Sequence, residues 1–223
     1  MGVLVPSSDT GIEAELPWRL AGRASVHVAR VPLAGVVLDE LGRFVERAAE
    51  QLPLLRDVHA DLLVVGCTSG TFVHGRRTER LLLDELEREA GIPVLSTAEA
   101  MVGALAERGT RVRLRTSYGE EITALEARYL VEAGLRVTTS RGLGIEEDER
   151  TARLGLDELR ALVGGDDQVD AVMLSCTNFR TLGIERELEN AAGAPVVSSN
   201  NALARGIVGR LERVITGTDG GES

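Results

Sequence analysis

The chain repeats itself, and its two cysteines fall at equivalent places in the repeat. Asp61-Leu62-Leu63-Val64-Val65-Gly66-Cys67-Thr68 aligns with Asp170-Ala171-Val172-Met173-Leu174-Ser175-Cys176-Thr177 at an offset of 109 residues. Downstream, Gly91-Ile92-Pro93-Val94-Leu95-Ser96-Thr97 aligns with Gly193-Ala194-Pro195-Val196-Val197-Ser198-Ser199. Upstream, Val3-Leu4-Val5-Pro6-Ser7-Ser8 matches Val112-Arg113-Leu114-Arg115-Thr116-Ser117-Tyr118 more loosely. A duplicated half-domain restricts the fold to two similar lobes, each presenting a thiol at the same site. If the halves face each other across a pseudo-twofold axis, the thiols flank one cleft. That suits chemistry needing a group on each side of a substrate carbon.

The local pattern inside each half is that of an α/β fold. Apolar runs predict strands over 2–6, 61–66, 94–96, 112–116, 169–175 and 195–198. Their hydrophobicity is continuous rather than alternating, as a parallel sheet covered on both faces requires. Helical periodicity predicts helices over 33–52, 77–90, 121–133, 151–163, 182–191 and 203–216, with Gly91, Gly134 and Gly193 positioned as helix-ending glycines. Alternating strands and helices imply a doubly wound parallel sheet in each of two pseudosymmetric lobes. The expected division is 1–105 and 106–198, with the helix over 199–216 packing back on the first lobe and 217–223 a flexible tail. Arg113 and Arg115 fit this scheme badly: charges in a central strand need acidic partners, or else the strand is more exposed than its neighbours.

Composition narrows the chemistry. All 25 basic residues are arginine. Without lysine there is no Schiff-base chemistry and no Walker-type phosphate loop. The three histidines, His27, His59 and His74, match no zinc spacing and read as surface or packing residues. The reading therefore implies no organic or metal cofactor. A net charge of −10 argues against nucleic acid, no apolar run is long enough for a membrane span, and a cytoplasmic setting is expected.

Open α/β sheets bind ligands at the carboxyl ends of their strands, which is where Cys67 and Cys176 stand. A thiol at a helix start has its thiolate stabilised by free backbone N–H groups. The residues that follow, Thr68 and Ser69 in one copy and Thr177 and Asn178 in the other, can donate to an anionic substrate or intermediate. Arg180 either steers an anion or is a solvated helix side chain.

Gly66-Cys67-Thr68-Ser69-Gly70-Thr71 and Ser175-Cys176-Thr177-Asn178-Phe179-Arg180-Thr181 resemble the two cysteine motifs of the maleate cis-trans isomerase family, within the aspartate/glutamate racemase superfamily. The resemblance extends to Pro6-Ser7-Ser8-Asp9-Thr10, Thr116-Ser117-Tyr118, Gly142-Leu143-Gly144-Ile145-Glu146 and Pro195-Val196-Val197-Ser198-Ser199-Asn200. It implies two α/β lobes with a cysteine from each in the interlobe cleft, a small carboxylate substrate, no cofactor and a homodimer or homotetramer. It also implies that Cys67, as the thiolate, adds to an alkene carbon while Cys176 protonates its neighbour. Rotation and elimination would follow. Tyr118 matches a position whose phenol reaches the substrate. Ser8 and Asn200 either line the cleft or serve turns and helix caps. Arylmalonate decarboxylase resembles this family but keeps only the second cysteine, so the pair here favours isomerisation.

Two residues depart from the family pattern. Asp9 and Asp148 stand where the maleate isomerases carry asparagines that bind substrate carboxylates. A carboxylate there repels a dianion unless protonated or paired, which keeps open a racemase acting on an amino-bearing acid. A third alternative is a non-catalytic ligand-binding or redox-sensing protein.

Overall fold

The computed structural model describes residues 1–216; the tail at 217–223 lies outside them. The first sheet comprises β1 (Gly2–Pro6), β2 (His27–Val31), β3 (Leu63–Val65) and β4 (Val94–Ser96), in the order β2-β1-β3-β4. The second repeats it with β5 (Arg111–Thr116), β6 (Arg136–Gly142), β7 (Ala171–Ser175) and β8 (Val196–Ser198), in the order β6-β5-β7-β8. All pairings are parallel. The expected architecture of two doubly wound parallel-sheet lobes is what the chain adopts. Gly91 and Gly193, equivalent in the repeat, end their helices with φ of 71° and 66°, a left-handed conformation that other residues resist.

The strands are buried on both faces, and successive side chains separate the two cores. Leu4, Leu63 and Val65 face a large core that runs on through Val112, Leu114 and Leu174 of the second sheet. Val3, Val5, Leu62 and Val64 face a smaller one, covered by α1 (Gly11–Arg19) and by α12 (Ser199–Thr216) through Leu203, Ala204 and Ile207. Each fully buried aliphatic side chain contributes roughly 1.5–3 kcal/mol. The last helix thus joins the far end of the chain to the first sheet.

The edge strands β2 and β6 are absent from the sequence reading. Arg136–Gly142 is mostly exposed or half-buried, and an edge strand wetted on one side needs no apolar run. The predicted helix over 33–52 is instead a loop at 32–37 followed by α2 (Leu38–Leu41), α3 (Phe44–Ala49) and α4 (Leu52–Arg56). Pro53 lacks the N–H that would carry a continuous helix past this point. The helix predicted over 151–163 is split into α9 (Asp148–Ala152) and α10 (Leu156–Val163), the second starting from Gly155, whose N–H is accepted by Glu158 at 2.8 Å.

Arg113 and Arg115 lie in the central strand β5 and are buried. Most of their partners are backbone carbonyls. Arg113 donates to Val163, Gly165, Asp167 and Ala192 carbonyls at 2.6–3.1 Å and pairs with Asp167 at 2.7 Å. Arg115 donates to the Leu162, Gly164 and Leu114 carbonyls at 2.9–3.1 Å. These are chiefly the C-terminal ends of α10 and α11 (Glu185–Ala192), where orphan carbonyls and the negative end of the helix dipole suit a guanidinium fork.

Candidate active site

The carboxyl ends of β1, β3, β5 and β7, and of the strands beside them, converge between the lobes. Cys67 follows β3 in extended conformation and caps α5 (Thr68–Phe72), its Sγ accepting the Gly70 N–H at 3.3 Å. Cys176 follows β7, and its Sγ accepts the Asn178 N–H at 3.4 Å. The two cysteine loops are tied by Ser199 at the end of β8: its hydroxyl lies 3.0 Å from Thr68 Oγ1 and accepts the Cys176 N–H at 3.1 Å. Ser199 was not among the expected site residues. Its equivalent in the repeat, Thr97, bonds the Val65 carbonyl at 3.0 Å, so the position was visible in the alignment while its bridging role was not.

Both thiols are 3–5% exposed. Burial pushes the Cys67 thiol up to about 12, and the negative charges of Asp148 and Asp9 add to the shift despite the Gly70 N–H and the Ser69 hydroxyl, 3.9 Å away. Burial, then Asp148, likewise pushes the Cys176 thiol well above the usual range, against the Ser117 hydroxyl and the Asn178 N–H. The helix-start donors expected to favour a thiolate are present, but desolvation outweighs them. Both shifts favour the protonated thiol.

Asp9 is fully buried. Its Oδ1 accepts the Gly11 and Ile12 N–H groups at 2.8 and 2.9 Å, steadying the start of α1, while Oδ2 has no hydrogen-bond partner among the described residues. Burial raises its carboxyl to about 7, outweighing the Thr177 hydroxyl and the Ile12 and Gly11 N–H groups, which lower it; the charge of Asp148 adds a smaller upward push. Asp148 enters from the opposite lobe at the start of α9. Its Oδ2 accepts from Ser8 Oγ at 2.9 Å and its Oδ1 lies 4.0 Å from Cys176 Sγ. Burial raises it too. Tyr118 is buried against Phe72, and burial together with the charges of Cys176, Glu126 and Cys67 raises its phenol.

The expected residues therefore meet, but not all in the expected capacity. Asn178 has its side chain engaged at both ends: Oδ1 accepts the Thr10 and Gly11 N–H groups at 3.0 and 2.9 Å, and Nδ2 donates to the Asp148 carbonyl at 2.8 Å. It clamps the lobes together. Asn200 donates to the Thr177 carbonyl at 2.9 Å, and Arg180 reaches Thr10 Oγ1 at 3.4 Å. The loop at 32–37 closes across the lobes through the Val36 N–H to the Glu146 carbonyl at 3.1 Å. Among the described residues, no group of three or more His, Cys, Asp or Glu side chains is placed to hold a metal ion, and no helix is long and apolar enough to cross a membrane.

The lobes meet closely at Gly11. A Cβ there would lie 2.7 Å from the Thr177 carbonyl oxygen and 2.9 Å from Asn178 Cα. Gly11→Ala is expected to destabilise the fold by about 1–3 kcal/mol and to lower turnover by roughly 100-fold through misplacement of the Cys176 loop. Denaturant melts and steady-state kinetics on one preparation check both.

The arrangement has counterparts among known proteins. A maleate isomerase from Pseudomonas putida (strain KT2440) is 28% identical over 95% of this chain and 91% of its own length. An arylmalonate decarboxylase from Bordetella bronchiseptica is 28% identical over 89% of this chain and 82% of its own. The crystal structure of the maleate isomerase Iso from Pseudomonas putida S16 superposes with a TM-score of 0.88 over 95% of this chain and 92% of its own, at 24% identity. The arylmalonate decarboxylase family model matches residues 1–220. With that match running from the first strand through the last helix, the chain belongs to the arylmalonate decarboxylase family, in the Asp/Glu racemase-like superfamily.

Proposed function

We propose that this protein is a cofactor-independent isomerase of a small carboxylate that interconverts maleate and fumarate with the Cys67/Cys176 pair. The observation that carries the reading is the pair of thiols, one from each repeat, both buried where the lobes meet, on loops that Ser199 bridges, with Asp148 Oδ1 4.0 Å from Cys176 Sγ. The maleate isomerases among its relatives supply the substrate class.

The chemistry follows from protons that must move. Asp148, whose charge bears on both thiols and whose Oδ1 lies 4.0 Å from Cys176 Sγ, is the group we assign to receive the Cys67 proton as the sulfur adds to one alkene carbon. The C–S bond forms, the C=C π bond breaks, and the Cys176 thiol protonates the adjacent carbon. The new single bond rotates. Cys176 takes a proton back from that carbon, the C–S bond breaks, the double bond re-forms as the trans isomer, and Asp148 returns its proton to Cys67. Desolvation keeps the proton donor neutral until substrate arrives. Ser8, Thr68, Ser69 and Thr177 are the hydroxyls on the loops around the thiols that we assign to the substrate carboxylates. Asn178 contributes by fixing the position of the Cys176 loop.

The test is fumarate formation from maleate, followed by NMR in D₂O beside aspartate, glutamate and diamino acids. Fumarate formation supports the proposal; α-proton exchange without isomerisation overturns it in favour of a two-base racemase. That second reading is favoured by one observation: neither the Asp9 nor the Asp148 side chain is paired with an arginine among the described residues, so an ammonium group would be welcome. Asp9→Asn separates the two. Its amide oxygen can still accept the Gly11 and Ile12 N–H groups. Above pH 7, where Asp9 ionises, it is expected to lower KM for maleate by about three- to tenfold by removing a like charge. Under the racemase reading it instead lowers amino-acid proton exchange.

A further inference from the structure

Glu126 lies on α8 (Glu120–Glu132), which packs against α5 behind Cys67. Its side chain is fully buried, and among the described residues neither carboxylate oxygen has a hydrogen-bond partner. Ser175, the residue before Cys176, is also fully buried with an unpartnered hydroxyl. That hydroxyl is close enough to favour ionisation of both Glu126 and Tyr118, yet closes a hydrogen bond to neither. An unsatisfied buried carboxyl is a standing cost in stability, and it stands beside the one phenol that senses both thiols.

We propose that Glu126, Ser175 and Tyr118 form a buried donor chain whose direction is set by the protonation of Glu126. As the neutral acid, Glu126 donates to Ser175 Oγ and Ser175 donates to Tyr118 Oη. Tyr118 is then left with its own proton for the sulfur or substrate oxygen that carries charge during turnover. As the anion, Glu126 accepts from Ser175, Ser175 accepts from Tyr118, and the phenol turns its proton away and presents a lone pair to the charge. Glu126 acts through its neighbours and is a positioning residue. The idea rests on the thiol chemistry proposed above.

The surroundings leave Glu126 to titrate largely alone. Burial raises its carboxyl to about 8 and no charged group offsets this. Of the groups on elements packed against α8, Glu79 on α6 (Gly75–Ala90) bonds Ser96 and Tyr129, and Arg76 lies over the Tyr129 ring. Arg136 and Arg141 on β6 are exposed. Burial raises Cys67 at the start of α5 to about 12, and raises Cys176 and Tyr118 well above their ordinary values.

The experiment compares wild type, Glu126→Gln and Ser175→Ala by pH dependence of kcat from pH 6 to 10 and by difference infrared spectroscopy of protonated carboxyl groups. Wild-type kcat is expected to fall about tenfold per pH unit above the Glu126 transition. Glu126→Gln donates at every pH, so it turns over about three- to tenfold more slowly at pH 7 and loses that fall. Ser175→Ala is slower throughout and loses the fall as well. A Glu126→Gln enzyme that keeps the wild-type fall, or is folded but inactive at all pH, overturns the proposal. If Glu126→Gln fails to fold, retention of the fall in Ser175→Ala overturns it. The infrared reading needs no turnover: of the protonated-carboxyl bands in wild type at pH 7, to which Asp9 also contributes, one should be lost in Glu126→Gln and displaced in Ser175→Ala. Absence of that band from wild type, or an unmoved band in Ser175→Ala, overturns the chain even if maleate is not the substrate. A normal band beside absent fumarate formation instead counts against the assigned reaction alone.

Discussion

Cys67→Ala and Cys176→Ala are each expected to lower turnover by on the order of 10⁴-fold or more, and the double variant to be little worse than either. The reason is the division of labour in the proposed mechanism: one sulfur forms the bond to carbon and the other delivers the proton, so loss of either stops the cycle. Folding should survive, because each thiol is small and makes only weak contacts, with N–H groups at 3.3 and 3.4 Å and side-chain oxygens at 3.9 and 4.0 Å. The two variants differ in what they accumulate. Without Cys176, addition at Cys67 still occurs and solvent can protonate the adduct, so intact mass should show one substrate bound through a thioether. Without Cys67 no adduct forms. Mass spectrometry after incubation with maleate reads both outcomes directly. Absence of an adduct in Cys176→Ala, with α-proton exchange surviving in either single variant, would place the chemistry with racemisation.

Stability should fall as pH rises from about 5 to 9, against the usual behaviour of acidic proteins. Asp9 is raised from 3.8 to about 7 and Glu126 from 4.5 to about 8, both by burial. Between those limits the native state holds protons that the unfolded chain has released, so unfolding becomes steadily easier with increasing pH. Each group accounts for on the order of 4 kcal/mol once the pH has passed its native value. For a chain of this size the melting temperature should drop by more than about 10 °C across that range. Cys67, raised to about 12, extends the decline beyond pH 9. Asp167 has the opposite sign: the Thr138 and Arg113 contacts lower its carboxyl to about 2, so its contribution is present above pH 4 and is lost on acidification. A maximum near pH 5 follows. Calorimetry across this range checks it, and Asp9→Asn and Glu126→Gln should each flatten their own part of the slope. A melting temperature that rises steadily to pH 8 would contradict the buried, protonated state of both acids.

Much of the architecture is legible because burial on two faces leaves a trace in the residues themselves. Central strands such as 61–66 and 169–175 are continuous apolar runs, and the same trace repeated at a fixed offset reveals the duplication. The edge strand Arg136–Gly142 leaves no such trace because water covers part of it. Arg113 and Arg115 look misplaced for a related reason. Their partners are carbonyls at the ends of α10 and α11, and a backbone carbonyl carries no signature in sequence.

The active site divides in the same way. Position along the chain places Cys67 and Cys176 at equivalent strand ends, and strand ends of parallel sheets are where ligands bind. That much the sequence by itself determined: two lobes, two thiols and a shared functional edge. Only the tertiary structure decided how the thiols are held. The desolvation that favours the protonated form of both thiols, the engagement of Asn178 as a clamp, the Ser199 bridge between the cysteine loops and the placement of Glu126 behind Tyr118 all depend on distances between segments far apart in the chain. Electrostatic energies depend on separation and on exclusion of water, and neither quantity exists until the lobes close.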